Sequence, residues 1–345
     1  VMTRTQEGAP ISTDSDAPVS QMLVHLRSAH LLRAAVTLDL ADTLGEEPAA
    51  VAELAARTGT DPGVLSRLLA ALASTGVFAV TSDGRYIHTP LSRTLCSTHP
   101  VGRMIAQDLK SDASWQAWSS LGAAARAGRS PFVLVHGTDF YSYVREHDPE
   151  QATAFHQAMS SATAEDNGGM VAALGLPATG VVVDVGGGRG GLLRDILLAA
   201  PALRGVLFDT EAVIADALPE LVTGELATRC ETVAGDALVS IPGEADLYVL
   251  RFILHNWDDE SCVRILESCA RAARPGSRVV VAEMLLEETG TPDPLTAMAD
   301  MGMFVLFGSR ERTEAEYARL FERAGLTYTG TTATKSLHLF EAVSR

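Results

Sequence analysis

Apolar residues change their spacing along this chain, and the changes mark its parts. From residue 21 to 44 they fall at Met22, Leu23, Leu26, Leu31, Leu32, Ala35, Val36, Leu38 and Leu40. That is a dense helical pattern, apolar around most of its circumference, which suits a core or a subunit interface. Residues 51–58 and 62–74 predict two shorter helices around Gly59, Thr60 and Asp61, with Asp61 as the cap of the second and Pro62 in its first turn. Segments 77–80 and 86–89 flank the turn signal Asp83 and Gly84, which predicts a hairpin. Helix, helix-turn-helix and hairpin make a winged-helix pattern, an architecture that often reads DNA. The second short helix argues against that use, because Arg67 is its only cation among Val64, Leu65, Leu68, Leu69 and Leu72. Packing is the better role for it.

Residues 102–167 predict further helices, broken over 127–131 by Gly128 and Pro131. Trp115, Trp118, Phe132, Phe140, Tyr141, Tyr143, Phe155 and Met159 gather here, either as an ordinary core or as an apolar pocket wall. After residue 179 the pattern becomes strand, helix, strand. Apolar runs at 181–185, 205–208, 230–234, 245–250 and 277–283 predict strands, with helices over 192–198 and 260–273 between them. A helix over 314–324 and a closing pair of strands predict a late antiparallel edge. The expectation is an α/β fold: a doubly wound, Rossmann-like domain behind a mainly helical winged-helix domain.

The β-branched run Val181, Val182, Val183 leads into Asp184, Val185, Gly186, Gly187, Gly188, Arg189, Gly190 and Gly191, and then into a helical pattern. Glycines there allow left-handed backbone and close approach of a ligand to the main chain. Gly186, Gly188 and Gly191 also satisfy the dinucleotide fingerprint, so this motif alone does not separate a nicotinamide cofactor from S-adenosylmethionine. The acids at successive strand ends bear on the choice, since ligands bind there. Asp209 after the second strand suits the ribose hydroxyls of either cofactor. Asp184 beside the glycines sits awkwardly near a pyrophosphate but suits the cationic amino group of a methionine moiety, and Asp236 suits an adenine amino group. Together they favour S-adenosylmethionine.

The chain has 345 residues, 47% of them hydrophobic, enough for one large or two ordinary domains. A formal net charge of −16 opposes a phosphate backbone and gives anionic lipid no attraction, so neither nucleic acid nor a membrane is expected as a partner. Four scattered cysteines offer neither a metal-ligand pairing nor a disulfide framework, and no bound metal is expected. The cytoplasm is the expected compartment, given no apolar run of spanning length and no basic-then-apolar leader.

The ordered set of Asp184 to Gly190, Phe208 and Asp209, Gly235 and Asp236, Leu254 to Glu260, Glu283, and Glu311, Arg312 and Thr313 resembles the S-adenosylmethionine-dependent small-molecule O-methyltransferases. That family includes plant caffeate-type and bacterial antibiotic-tailoring enzymes, and the likeness covers nearly all of the chain. It implies a homodimer acting on a small aromatic, phenolic substrate. Residues 1–19 then read as a mobile tail, 20–100 as the winged-helix dimerisation domain, 101–166 as a helical substrate-pocket segment and 167–345 as the cofactor-binding domain. The resemblance implies that Gly186 and Gly188 approach the methionine portion, Asp209 holds the ribose, Asp236 and Ala237 meet the adenine, and Trp257 packs near it. Arg251 takes a place often filled by lysine. His255, expected at the end of a strand facing the cofactor side, is implied as the general base, with Glu283 and Glu311 orienting it. Phe155, Met159, Asn256 and Met301 are expected at the substrate. Asn256 stands where an aspartate is common, and Gly308 with Ser309 where two glycines are usual. Relatives that hydroxylate or decarboxylate aromatic polyketides, a dehydrogenase and a DNA-binding regulator are the rival readings.

Overall fold

A computed structural model describes residues 17–99, 102, 106, 108–147, 167–288, 290 and 293–345. The chain divides into two compact units, which meet in sequence between Asp112 and Ala113. The helices that follow residue 113 therefore group with the second unit.

The first unit opens with the helix Ala17–Thr37. Residues 1–16 of the expected tail lie outside the described residues, and the remainder of that tail, from Ala17, is already helical. Asp39 adopts φ 48°, which ends the long helix and starts the short helix Leu40–Leu44 on a new axis. The helices Val51–Thr58 and Pro62–Ser74 follow. Asp61 Oδ1 accepts from the Val64 N–H at 2.8 Å, and Pro62 fills the first turn, where its missing N–H is not needed. Strands β1 (Phe78–Val80) and β2 (Tyr86–His88) pair antiparallel, and Gly84 at φ 80° makes the turn that Asp83 and Gly84 predict. Leu40, Leu54, Leu65, Leu69, Leu72 and Phe78 are the centre of this unit's core. Val19, Met22, Leu23, Val24 and Leu26 are exposed, so the N-terminal half of the long helix carries an apolar face that this core leaves uncovered.

The second unit is built on a seven-stranded sheet. Its strands are β3 (Gly180–Val185), β4 (Leu203–Asp209), β5 (Cys230–Ala234), β6 (Leu247–Arg251), β7 (Arg278–Glu283), β8 (Thr327–Ala333) and β9 (His338–Val343). Their order is β5-β4-β3-β6-β7-β9-β8, parallel except for β9, which runs antiparallel to both neighbours. Successive residues of β3 bury to opposite faces. Val183 and Val185 pack with Ile265 and Leu266 of the helix Asp259–Ala272, whereas Val182 packs with Leu193 and Ile196 of the helix Gly191–Ala199. Both faces are covered, which explains the unbroken β-branched run at this strand. The chain winds outward from β3 to β5, then crosses back to β6, and that reversal opens a crevice at the carboxyl ends of β3 and β6.

Phe132 and Phe140 meet edge-on at 5.4 Å, and Phe140 meets Phe307 of the helix Pro294–Phe307 at 5.2 Å. The first two are buried with Val305 in a small cluster of their own. For these two aromatics the ordinary-core reading holds. No described helix is long and apolar enough to cross a membrane.

Candidate active site

The crevice begins where β3 ends. Asp184 lies one residue inside the strand, paired with Leu207 and Val249, rather than at its end as the spacing implied. Its side chain is buried, and Oδ2 has no hydrogen-bond partner. Burial raises its pKa to about 7, against the lowering pull of the Arg251 guanidinium, with Asp209 adding to the rise. An orphaned buried carboxylate oxygen of this kind fits a cationic group brought in by a ligand. Arg251 is anchored in turn: its guanidinium donates to Asn167 Oδ1, and Asn167 Nδ2 donates to Asp195 Oδ2 at 2.6 Å.

Gly186 and Gly188 both adopt positive φ, 68° and 61°. The Gly186 N–H donates to the Phe208 carbonyl at 2.7 Å and the Gly188 N–H to Asp209 Oδ2 at 2.9 Å, so the glycine turn is tied to the end of β4. A Cβ on Gly187 would approach the Asp184 carboxyl carbon at 2.6 Å, and one on Gly186 would strike Ile253. Close packing against Asp184 and Ile253 therefore leaves no room for a side chain at either position. Asp209 also accepts from the Thr210 N–H at 2.7 Å. Asp236, exposed beyond β5, accepts from the Leu238 N–H at 2.9 Å, and Ala237 is half-buried beside it. Together these groups fit S-adenosylmethionine.

The second part of the site follows β6. Phe252 takes φ 55° and ends the strand, and Leu254–Asn256 form a short 3₁₀ turn. His255 therefore sits in that turn and not at a strand end. Glu283 closes β7, where it is fully buried. Its Oε1 accepts from the N–H groups of Ile253 at 3.0 Å, Leu254 at 2.9 Å and His255 at 3.4 Å. His255 Nδ1 lies 2.9 Å from Glu311 Oε1 and 3.5 Å from Glu283 Oε2, and its ring stacks on Phe252 at 5.3 Å. Burial opposes the imidazolium, but the charges of Glu283 and Glu311 prevail and hold the His255 pKa above its ordinary value. Burial raises Glu283 to about 7, against the lowering influence of His255. Both carboxylates face Nδ1, so the neutral ring carries its proton there and its lone pair on Nε2.

The turn is fixed from below by Arg312, a side chain that is almost completely buried. It donates to the carbonyls of Leu254 at 2.9 Å and Trp257 at 2.7 Å, and to Asp259 Oδ1 through Nε at 3.0 Å. Glu311 is held by its own N–H, which donates to Asp300 Oδ1 at 2.9 Å.

The family model for the O-methyltransferase domain matches residues 118–327, and that for the O-methyltransferase dimerisation domain matches residues 20–98. The chain belongs to the O-methyltransferase family. Its cofactor is S-adenosylmethionine. A mitomycin biosynthesis 6-O-methyltransferase of Streptomyces lavendulae is 36% identical over 92% of this chain and 91% of its own length. An O-methyltransferase of neocarzinostatin biosynthesis, solved in complex with S-adenosylmethionine and 2-hydroxy-5-methyl naphthoic acid, superposes with a TM-score of 0.80 at 30% identity. That match covers 92% of this chain and 96% of the other. The aclacinomycin 10-hydroxylase of Streptomyces purpurascens is 33% identical over 94% of this chain and 88% of its own length.

Within this methyltransferase, His255, Glu283 and Glu311 come together as one buried cluster, and Asp184, Gly186, Gly188 and Asp209 as one crevice. Trp257 is 40% exposed, while its carbonyl is committed to Arg312. Asn256 Nδ2 donates to the Phe252 carbonyl at 2.8 Å, so this side chain braces the turn. Met301, half-buried, follows Asp300 on the helix that holds Glu311. Phe155 and Met159 lie outside the described residues. The roles of Asn167, Phe252, Asp300 and Arg312 are not legible in the sequence. Each depends on a contact with a residue distant in sequence or on an unusual φ, and only the Glu311-Arg312-Thr313 run pointed near one of them.

Proposed function

We propose that this enzyme methylates a phenolic hydroxyl of a small aromatic natural product, with His255 as the general base. The observation that carries the reading is the contact between His255 Nδ1 and Glu311 Oε1 in a chain of this family. When bound, S-adenosylmethionine supplies an electrophilic methyl group on a sulfonium centre. A phenol with a pKa of about 10 is mostly protonated near neutrality, and its proton has to leave as the oxygen attacks. His255 Nε2 accepts that proton, and Glu311 and Glu283 stabilise the imidazolium through Nδ1. Asp184 holds the cofactor's amino group and Asp209 its ribose, with Asp236, Ala237 and Trp257 serving the adenine and Arg251 steadying Asp184. Phe155, Met159, Asn256 and Met301 are assigned to the acceptor's pocket.

His255, Glu283 and Glu311 bring ligand atoms within 4.8 Å of one another, a spacing that also suits a cation. Glu283 Oε1 is already committed to three backbone N–H groups and Nδ1 to a shared proton, which favours the proton-transfer reading; a chelator should leave turnover unchanged. We further propose a cytoplasmic homodimer assembled through the first unit. The similarity to a hydroxylase favours one alternative, a cofactor-binding relative that hydroxylates or decarboxylates an aromatic polyketide. Incubation with methyl-labelled S-adenosylmethionine and a panel of polyphenols, polyketide quinones and phenazines tests the proposal. Label on an acceptor oxygen supports it, whereas an oxidised or decarboxylated product without label supports the alternative.

A further inference from the structure

His255 stands between two residues that are tied to each other. Phe252, at φ 55°, holds a left-handed backbone that a bulky side chain rarely adopts, and such a conformation persists only where its surroundings over-determine it. Its N–H continues the sheet by donating to the Ala282 carbonyl at 3.1 Å. Its carbonyl accepts from Asn256 Nδ2 at 2.8 Å, which closes a loop of chain around His255. A carbonyl can only accept, so this bond needs an amide at position 256; the ionised aspartate common there has no proton to give. The ring of Phe252 stacks on the His255 imidazole, with centroids 5.3 Å apart and planes 30° from parallel. The guanidinium carbon of Arg251 lies 5.6 Å from the centroid of the same ring. One aromatic side chain thus meets both the cofactor half of the site and the base half. An aromatic face attracts a cation within about 6 Å of its centroid, more strongly where water is excluded, and His255 is 8% exposed. The charged groups acting on His255 are Glu283 and Glu311, which favour the imidazolium, and Arg312, which opposes it.

We propose that Phe252 is a positioning residue of the methyl-transfer site: its ring supports the His255 imidazole and stabilises the imidazolium, and the Asn256 amide locks the backbone that presents the ring. The inference rests on the reading of His255 as the base. The proton that leaves the acceptor oxygen comes to rest on Nε2, and the positive charge it brings spreads over a ring already lying against the face of Phe252.

Phe252→Leu removes the aromatic face and keeps an apolar side chain. The titration of the His255 imidazole, followed by NMR with the resonance assigned through a His255→Gln variant, needs no acceptor and no turnover. In Phe252→Leu it should move downward by roughly 0.4 to 1.5 pH units, the equivalent of one cation–π contact. A role in packing alone would lower the melting temperature and leave this titration in place. An unchanged or raised titration in the folded variant overturns the proposal. Should Phe252→Leu not fold, 3,4,5-trifluorophenylalanine placed at position 252 alone keeps the shape and depletes the face; the titration should again move downward, and no movement is the contrary result. Asn256→Ala should lower the titration as well, yet add little in a chain that already carries Phe252→Leu, because the ring it presents is gone. Full additivity of the two shifts overturns the part given to Asn256. Failure of the base assignment is read separately, from turnover of a His255→Ala variant.

Discussion

His255 Nδ1 lies 2.9 Å from Glu311 Oε1, across 56 residues of sequence, in a cluster where both partners are buried. Glu283 and Glu311 together raise the His255 pKa, in spite of burial. A base acts in its neutral form, so a raised pKa keeps it protonated, and idle, to a higher pH. The acidic limb of the kcat/KM profile should therefore fall above pH 6.5. Glu311→Gln removes one of the raising charges and leaves burial, so the limb should move to lower pH while the rate plateau drops. A limb that stays in place would show that Glu311 does not act through the imidazole.

Asp184 has its pKa raised to about 7 by burial, so near neutrality the free site is partly protonated. An incoming ammonium group favours the carboxylate and expels that proton. Cofactor binding should release a fraction of a proton at pH 6 to 7 and almost none by about pH 9. Calorimetry in buffers of different ionisation enthalpy measures the release, and Asp184→Asn should abolish it. Equal release by the variant would move the ammonium elsewhere.

Arg312 donates to two carbonyls of the His255 turn. Arg312→Ala leaves both without that partner, and two charge-assisted bonds correspond to a loss on the order of 3 kcal/mol. Arg312→Lys should recover only part of it, because an ammonium cannot reproduce the planar fork that spans Leu254, Trp257 and Asp259. Denaturant titration of the three proteins checks this, and a Lys variant as stable as wild type would count against the fork.

Much of this architecture is legible from residue types. The β-branched run at Val181 to Val183 marks the central buried strand, Asp61 and Pro62 mark a helix start, and Asp83 and Gly84 mark the hairpin turn. What escaped depends on distance or on conformation. The apolar residues leading to Leu254 suggest a strand end for His255 and do not disclose that Phe252 takes a positive φ and turns the chain. Arg312 reads as one more charged residue until Leu254 and Trp257, more than fifty positions away, are brought to it. Asp184 carries the converse lesson: spacing put it at a strand end, but pairing on both sides buries it, and burial is what perturbs its carboxyl.

Met22 and Leu26 are exposed on a helix whose apolar positions run around most of its circumference, within the part matched by the dimerisation model. If that face is a self-complementary interface, charges there should repel across it. Met22→Glu with Leu26→Glu should shift sedimentation from dimer toward monomer. A monomeric wild-type protein, or a doubly substituted dimer of unchanged strength, would place the contact elsewhere.

The central claim is that His255 removes the acceptor's proton and takes no part in holding the cofactor. Single-turnover methyl transfer by His255→Ala, measured beside calorimetric binding of S-adenosylmethionine to the same variant, tests it most directly. Cofactor affinity should stay near that of the wild type while the rate falls by roughly 10²- to 10⁴-fold, the usual contribution of a general base. Transfer at a near wild-type rate would mean that positioning alone suffices and that the base is misassigned.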